Sequence, residues 1–342
     1  MRRRVVGHEV AVTAFLTTVA RAGLSVMVTL PEEVAMTAFD ITRILAATDL
    51  SDSSLPALRY ARSFADRFSA KLTVVYSDPL LFPTDVIGPA NAMFIAPAPE
   101  HEARLRGEAV EQVGRVMAGR PYEVEIAFGQ PIPAILETAE ERRSDLIVMG
   151  THLRHGWRRA LLGSISEGVV HGSRCPVLTA AADEGLLGSG VPAVTNVLCP
   201  VNFTYVSRDA VHAAARVADA FSANLIVVHI SESASVNHHL PNEQTVRSWI
   251  APELQEIVTY RELIVRDGAA ERVLDCADDL GADLLVIGAQ HRFFRDTTVL
   301  GTTTERLIRF AGCPVLTVPR EAVRDRLHMA GERELVSAGG ER

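Results

Sequence analysis

Two stretches of this 342-residue chain, Asp145–Thr179 and Asp283–Thr317, repeat each other in residue type and spacing. The first reads DLIVMG, twelve residues, GSISE and, further on, CPVLT; the second reads DLLVIG, twelve residues, GTTTE and CPVLT. Self-similarity at this level marks a tandem duplication. Each copy runs from an apolar strand through a glycine to small hydroxyl residues opening a helix, and then to a second apolar strand. A phosphate group suits that arrangement, because the first amides of a helix are unpaired and small residues let an anion approach them. Whatever site the repeat builds is therefore expected twice.

The flanking sequence follows the same order in both halves. Ile44 to Asp49 and Val197 to Asn202 are short apolar runs stopped by polar turns, the pattern of buried parallel strands. Ala57, Tyr60, Ala61, Phe64, Ala65 and Phe68 then recur at helical spacing, matched by Ala210, Ala214, Val217, Ala218 and Phe221. A second strand follows at Leu72–Val75 and at Leu225–Val228. A third is expected around Val124–Ile126 and Leu263–Val265, with the first half carrying a helical region from about Glu100 to Ala118. Strand and helix alternating in this way imply right-handed crossovers and a parallel sheet covered on both faces. The expected fold is α/β: two tandem, five-stranded, doubly wound, Rossmann-like domains over 41–182 and 195–320, joined by a Gly- and Ala-rich linker.

Residues 1–40 read as an N-terminal extension. Arg2-Arg3-Arg4, the apolar run that follows and Ala20-Arg21-Ala22 imitate an export signal. Arg21 interrupts the run, however, and leaves pieces too short to span a bilayer, so a loosely ordered extension or a mis-set start is the expectation. Residues 321–342 form a polar tail.

With a net charge of -8 and a pI near 5.8, the chain lacks the clustered cations needed to hold a nucleic acid. A small anion is not excluded by that balance. The cysteines Cys175, Cys199, Cys276 and Cys313 form no CxxC pair, so neither a disulfide scaffold nor a zinc ribbon is expected. Reduced thiols and a cytoplasmic location follow. His152 with His155, and His238 with His239, have no carboxylate or thiol at ligand spacing, so they are read as surface histidines. No Walker motif, nucleophile elbow or dinucleotide fingerprint is present, and no catalytic residue is assigned.

In open parallel sheets ligands sit beyond the carboxyl ends of strands where the strand order reverses. Asp49, Gly150 and their copies Asn202 and Gly288 fall at such ends. Gly150 is expected to turn the chain away from its strand, and Gly163-Ser164-Ile165-Ser166 to start the last helix. Asp49 has two readings: a base or ligand contact, or a cap on the following turn.

The order ATDLSDSSLPALRYA, the Gly150 strand, GSISE and CPVL resembles the universal stress protein family in its tandem two-domain form, over about Thr42 to Pro319. The resemblance implies an adenine nucleotide alpha hydrolase-like fold and binding of ATP, with Mg2+ accompanying it. Members that bind ATP share Gly, two residues, Gly, nine residues, then Gly with Ser or Thr. In the first half the resemblance places the nucleotide against Ala47, Thr48, Asp49, Val75, Gly150 and His152, and its phosphates against Gly163, Ser164 and Ser166. In the second half it points to Asn202, Gly288, Gly301, Thr302 and Thr303. Both copies depart from the pattern at one position: Leu153 and His291 stand where the second glycine belongs.

The resemblance thus implies a ligand-responsive binding module acting on a protein partner, whose loops at 151–162 and 289–300 change when nucleotide is held. Two alternatives stay open: a nucleotide-independent stress protein acting by protein contacts, and a slow ATPase. Family members pair domains through the last strand, so Val177-Leu178-Thr179 and Val315-Leu316-Thr317 are expected to meet within the chain, with further homodimerisation open.

Overall fold

A computed structural model describes residues 39–79, 98–151, 163–181, 192–231, 242–264, 268–289, 292–294, 297–299 and 301–320. The first half contributes β1 (Arg43–Thr48), α1 (Leu55–Arg67), β2 (Lys71–Asp78), α2 (Pro99–Met117), β3 (Glu123–Phe128), α3 (Pro131–Glu141), β4 (Leu146–Thr151), α4 (Ser164–Gly172) and β5 (Val177–Ala181). The second contributes β6 (Asn196–Val201), α5 (Tyr205–Phe221), β7 (Asn224–Ser231), the short α6 (Glu243–Ser248), β8 (Val258–Ile264), α7 (Ala269–Asp279) and β9 (Leu284–Ala289). A small antiparallel pair, β10 (Arg292–Phe294) and β11 (Thr297–Val299), precedes α8 (Thr302–Phe310) and β12 (Val315–Pro319).

Ten strands form one sheet in the order β3-β2-β1-β4-β5-β12-β9-β6-β7-β8. Within each half all neighbours are parallel, in the same order read outward from the centre. The halves meet where β5 and β12 pair antiparallel, Leu178 opposite Leu316. Each last strand would otherwise be an apolar edge with unpaired amides and carbonyls, and joining the two removes both edges at once. Of the two remaining edges, β3 and β8, the first is charged, with Arg142 at the end of α3 paired to Glu123 at 3.1 Å and to Glu125.

Alternation along the buried strands sends successive residues into separate cores. Leu45 and Ala47 of β1 join the layer formed by α3, α4, α7 and α8, while Ile44 and Ala46 join the layer formed by α1, α2 and α5. Both layers run across the β5–β12 junction. On one side Phe64 of α1 meets Phe221 of α5 with ring centroids 5.0 Å apart. On the other, Arg309 of α8 reaches Glu167 of α4 at 3.1 Å.

The duplication also appears at the opposite end of the sheet. Asp145 accepts from Thr42 N at 2.8 Å, Thr42 Oγ1 at 2.7 Å and Arg43 N at 2.9 Å, and so clamps the start of β1 to the start of β4. Asp283 does the same for Thr195 and Asn196 with bonds of 2.8, 2.5 and 3.0 Å. The first residue of the repeat is thus a staple between strands.

Burial raises the Cys199 thiol, and pushes that of Cys313 up to about 12, so both remain protonated and serve as small apolar fillers. No helix among the described residues is long and apolar enough to cross a membrane. Residues 1–38 of the N-terminal extension, 182–191 of the linker and the C-terminal tail from 321 lie outside the described residues, while Phe39 and Val194 are buried in the core.

Candidate functional site

The turn after β1 is built by local polar chemistry. Leu50 takes a left-handed φ of 61°, and Asp49 Oδ1 accepts from Ser51 N at 3.0 Å and Ser51 Oγ at 2.6 Å. In the second half Phe203 has a φ of 57°, and Asn202 Oδ1 accepts from Thr204 N at 3.3 Å and Thr204 Oγ1 at 2.7 Å. Asp49 and Asn202 therefore share one role in capping the turn, which an amide or a carboxylate fills equally well.

The chain then diverges. Residues Asp52–Ser54 form a 3-10 turn before α1, whereas the matching residues of the second half are already the first turn of α5. Pro56 supplies the reason: a helix starting at Asp52 would need the amide of residue 56 to bond back four residues, and proline has none. Its counterpart in α5 is Asp209.

Asp209 is buried, and burial pushes its carboxyl up to about 6, the nearby Arg208 and Arg320 offsetting the shift only in part. Because the folded state favours the protonated form, the stability attached to this group is complete below about pH 4 and is lost as pH rises through about 6. Asp209→Asn is accordingly expected to stabilise the chain by about 1–3 kcal/mol above pH 7, with little gain at pH 4. Urea midpoints across that range check this, and an equal gain at both ends would contradict it.

Gly150 is not a turn residue. It lies within β4, paired with Ala180, it is absent from the residues with left-handed backbone, and the strand continues through Thr151. A Cβ there would be 3.6 Å from Ser53 O, which is ordinary contact. Gly288 occupies the same place in β9, yet a Cβ on it would lie 2.6 Å from the carbonyl oxygen and from Cγ1 of Val206. Ser53 and Val206 are equivalent residues, so the segment leading into the helix sits closer to the glycine strand in the second half.

Where that segment stands off, a cavity of about 250 Å3 opens at the carboxyl ends of β1, β2 and β4. Ala47, Thr48, Asp49, Val75, Gly150 and Ser166 all line it. This is the switch point of the first-half sheet, where strand order turns from β1 to β4. Tyr76, unnoticed in the sequence, and Ile165, read there only as part of the helix start, line it as well. Burial, with Asp78, Glu108 and Asp49 nearby, raises the Tyr76 hydroxyl, which thus stays protonated as a donor at neutral pH.

At one wall of the cavity α4 begins. Gly163 caps it in extended conformation, and the first intrahelical bond runs from Glu167 N to Gly163 O at 2.9 Å, so the amides of Ser164, Ile165 and Ser166 precede it. Ser166 Oγ donates to Gly150 O at 2.8 Å and ties the helix start to the strand end. Gly163 and Ser164 flank the cavity without lining it. In the second half Gly301 caps α8 likewise, and Thr302 and Thr303 stand exposed in its first turn. The counterpart of Ser166 is Thr304, whose hydroxyl lies 3.4 Å from Gly288 O; aligning the two repeats would have identified it. His152, Leu153, His155, His291, His238 and His239 lie outside the described residues.

No group of three or more His, Cys, Asp or Glu side chains suited to a metal occurs among the described residues.

An open α/β sheet, present twice and joined edge to edge, with a cavity at the switch point of its first half, defines a tandem Rossmann-like protein. The model of the universal stress protein family matches residues 40–180 and 193–319, and the chain belongs to that family. A universal stress protein of Methanocaldococcus jannaschii is 34% identical over 141 residues, 40% of this chain and 79% of its own length. One of Mycobacterium tuberculosis is 24% identical over 294 residues, spanning 82% of this chain and 97% of its own. Among solved structures, a universal stress protein of Archaeoglobus fulgidus superimposes with a TM-score of 0.65 at 22% identity, over 82% of this chain and all of that one.

Proposed function

We propose that this protein is an adenine-nucleotide-binding regulatory module of the cytoplasm that holds one nucleotide per chain, in its first half. The observation that carries the reading is the cavity at the β1–β4 switch point, lined by six of the residues the family pattern singles out, beside a helix start whose first three amides precede the first intrahelical bond. At about 250 Å3 it is somewhat smaller than typical ligand pockets of about 300–1,000 Å3, a size that suits a nucleoside with its phosphates lying along the start of α4. Mg2+ would travel with the phosphates and need few protein ligands. The closer approach of Val206 to Gly288 argues against an equal second site.

Ile165 offers the test, because it stands in the first turn of α4 and lines the cavity. A carboxylate there suits a helix start, so Ile165→Glu should fold normally, but it would repel a phosphate. Calorimetric titration of Mg-ATP is expected to give one site per chain, weakened at least about tenfold by Ile165→Glu, with adenosine binding changed by less than about twofold. Absence of heat with the wild-type chain, confirmed by equilibrium dialysis, would overturn the reading. Leu153 and His291 at the second-glycine positions would then favour the nucleotide-independent alternative.

A further inference from the structure

We infer that Gln112, on α2, is the positioning residue that holds the first-half site open by bracing the loop between β1 and α1. Gln112 is 5% exposed and both ends of its amide are used. Its Oε1 accepts from Thr48 Oγ1 at 2.9 Å, and its Nε2 donates to Ser51 O at 2.7 Å. Thr48 Oγ1 in turn accepts from Leu50 N at 3.1 Å and lies 2.8 Å from Ser54 Oγ. One buried side chain thereby ties the end of β1 to the loop that follows it. Shifting that loop toward β4 would break these bonds and leave a buried amide unpaired, which is costly where water cannot replace the partner.

The second half supplies an internal comparison. Val201 stands in place of Thr48 and has no hydroxyl to offer. The hydroxyl of Ser207, the counterpart of Ser54, turns instead to Asn202 Oδ1 at 2.5 Å. In place of the 19-residue α2 the chain carries the six-residue α6. No side chain among the described residues braces the second-half loop as Gln112 does the first, and the carbonyl of Val206 lies 2.6 Å from where a Gly288 Cβ would be, against 3.6 Å for Ser53 and Gly150. Pro56 prevents a continuous helix in the first half, but it does not decide how far the resulting loop stands from β4. Gln112 does. For its ligand this inference rests on the nucleotide reading; for the loop geometry it does not.

The test compares Gln112→Leu with Val113→Ala in the full chain. Val113 is a fully buried core neighbour on the same helix, and its apolar side chain has no group to join the loop's hydrogen bonds. Gln112→Leu is expected to weaken Mg-ATP binding and to speed amide exchange at Leu50 and Ser54, each by about tenfold. Val113→Ala should lower the melting temperature at least as much while leaving both readouts within about twofold of wild type. Gln112→Glu, which keeps an acceptor for Thr48 but loses the donor to Ser51, should fall between. Unchanged affinity and exchange in Gln112→Leu, or equal losses in Val113→Ala, would overturn the inference. If wild-type protein takes up no Mg-ATP, only the nucleotide reading fails, and the exchange comparison still decides the role of Gln112.

Discussion

Phe64→Ala is expected to lower the unfolding free energy by about 3–5 kcal/mol and to leave a single transition. Phe64 is fully buried on α1, with its ring 5.0 Å from Phe221 of the second half and 6.1 Å from Phe68. Truncating it removes apolar contact area from one half and opens a cavity against the other, and a β-sheet on one side limits how far the site can collapse. Because the core layers and the sheet both continue across the β5–β12 junction, the loss should be felt by the whole ten-stranded unit. Urea denaturation followed by circular dichroism checks the size of the effect. A cycle with Phe221→Ala checks its origin, with a coupling of about 0.5–1.5 kcal/mol expected for the ring pair. Two separated transitions, or additive single losses, would show that the halves fold as independent units.

The second large effect concerns equivalent glycines with unequal surroundings. Gly288→Ala should cost about 1–3 kcal/mol, because the added methyl meets Val206 at 2.6 Å through its main-chain oxygen and at 2.9 Å through its carbonyl carbon, and the start of α5 must move. Gly150→Ala should stay within about 0.5 kcal/mol of wild type, since its nearest neighbour would be Ser53 O at 3.6 Å. Neither glycine has left-handed backbone, so conformational freedom does not complicate the comparison. Thermal melts of the two variants side by side decide it, and equal costs would mean that the two halves approach their glycine strands alike.

These expectations describe a duplication whose copies kept one scaffold and diverged in one loop. The scaffold devices occur in both halves: the Asp145 and Asp283 staples, the Asp49 and Asn202 turn caps, and the hydroxyls of Ser166 and Thr304 directed at the glycine-strand carbonyls. What differs is the stretch between strand and helix and the element that braces it.

Much of this was legible in the residues alone. Apolar runs of strand length alternating with amphipathic helices require a two-sided parallel sheet, and the repeat required that sheet twice. The CPVLT strands, apolar and last in each half, had to find cover, and pairing with each other satisfies both. Asp49, Gly150 and Ser166 fell beside one cavity because strand ends and helix starts are local features that a short motif can encode.

How closely the helix-entry segment packs on each glycine strand was beyond the sequence, because the two halves differ there by about an ångström, smaller than any motif resolves. Gln112 sits 61 residues from Ser51 in a segment with no match in the other half, and nothing in its neighbours along α2 marks it as more than one polar residue on a helix. Only folding brings its amide to Thr48 and Ser51 in a place where water cannot substitute. Tyr76 and Ile165 became cavity residues in the same way, through the packing of β2 and α4 around a shared space. Local chemistry determined the elements and their order; long-range contact decided how closely each helix entry packs on its glycine strand, and which side chains line the first-half cavity.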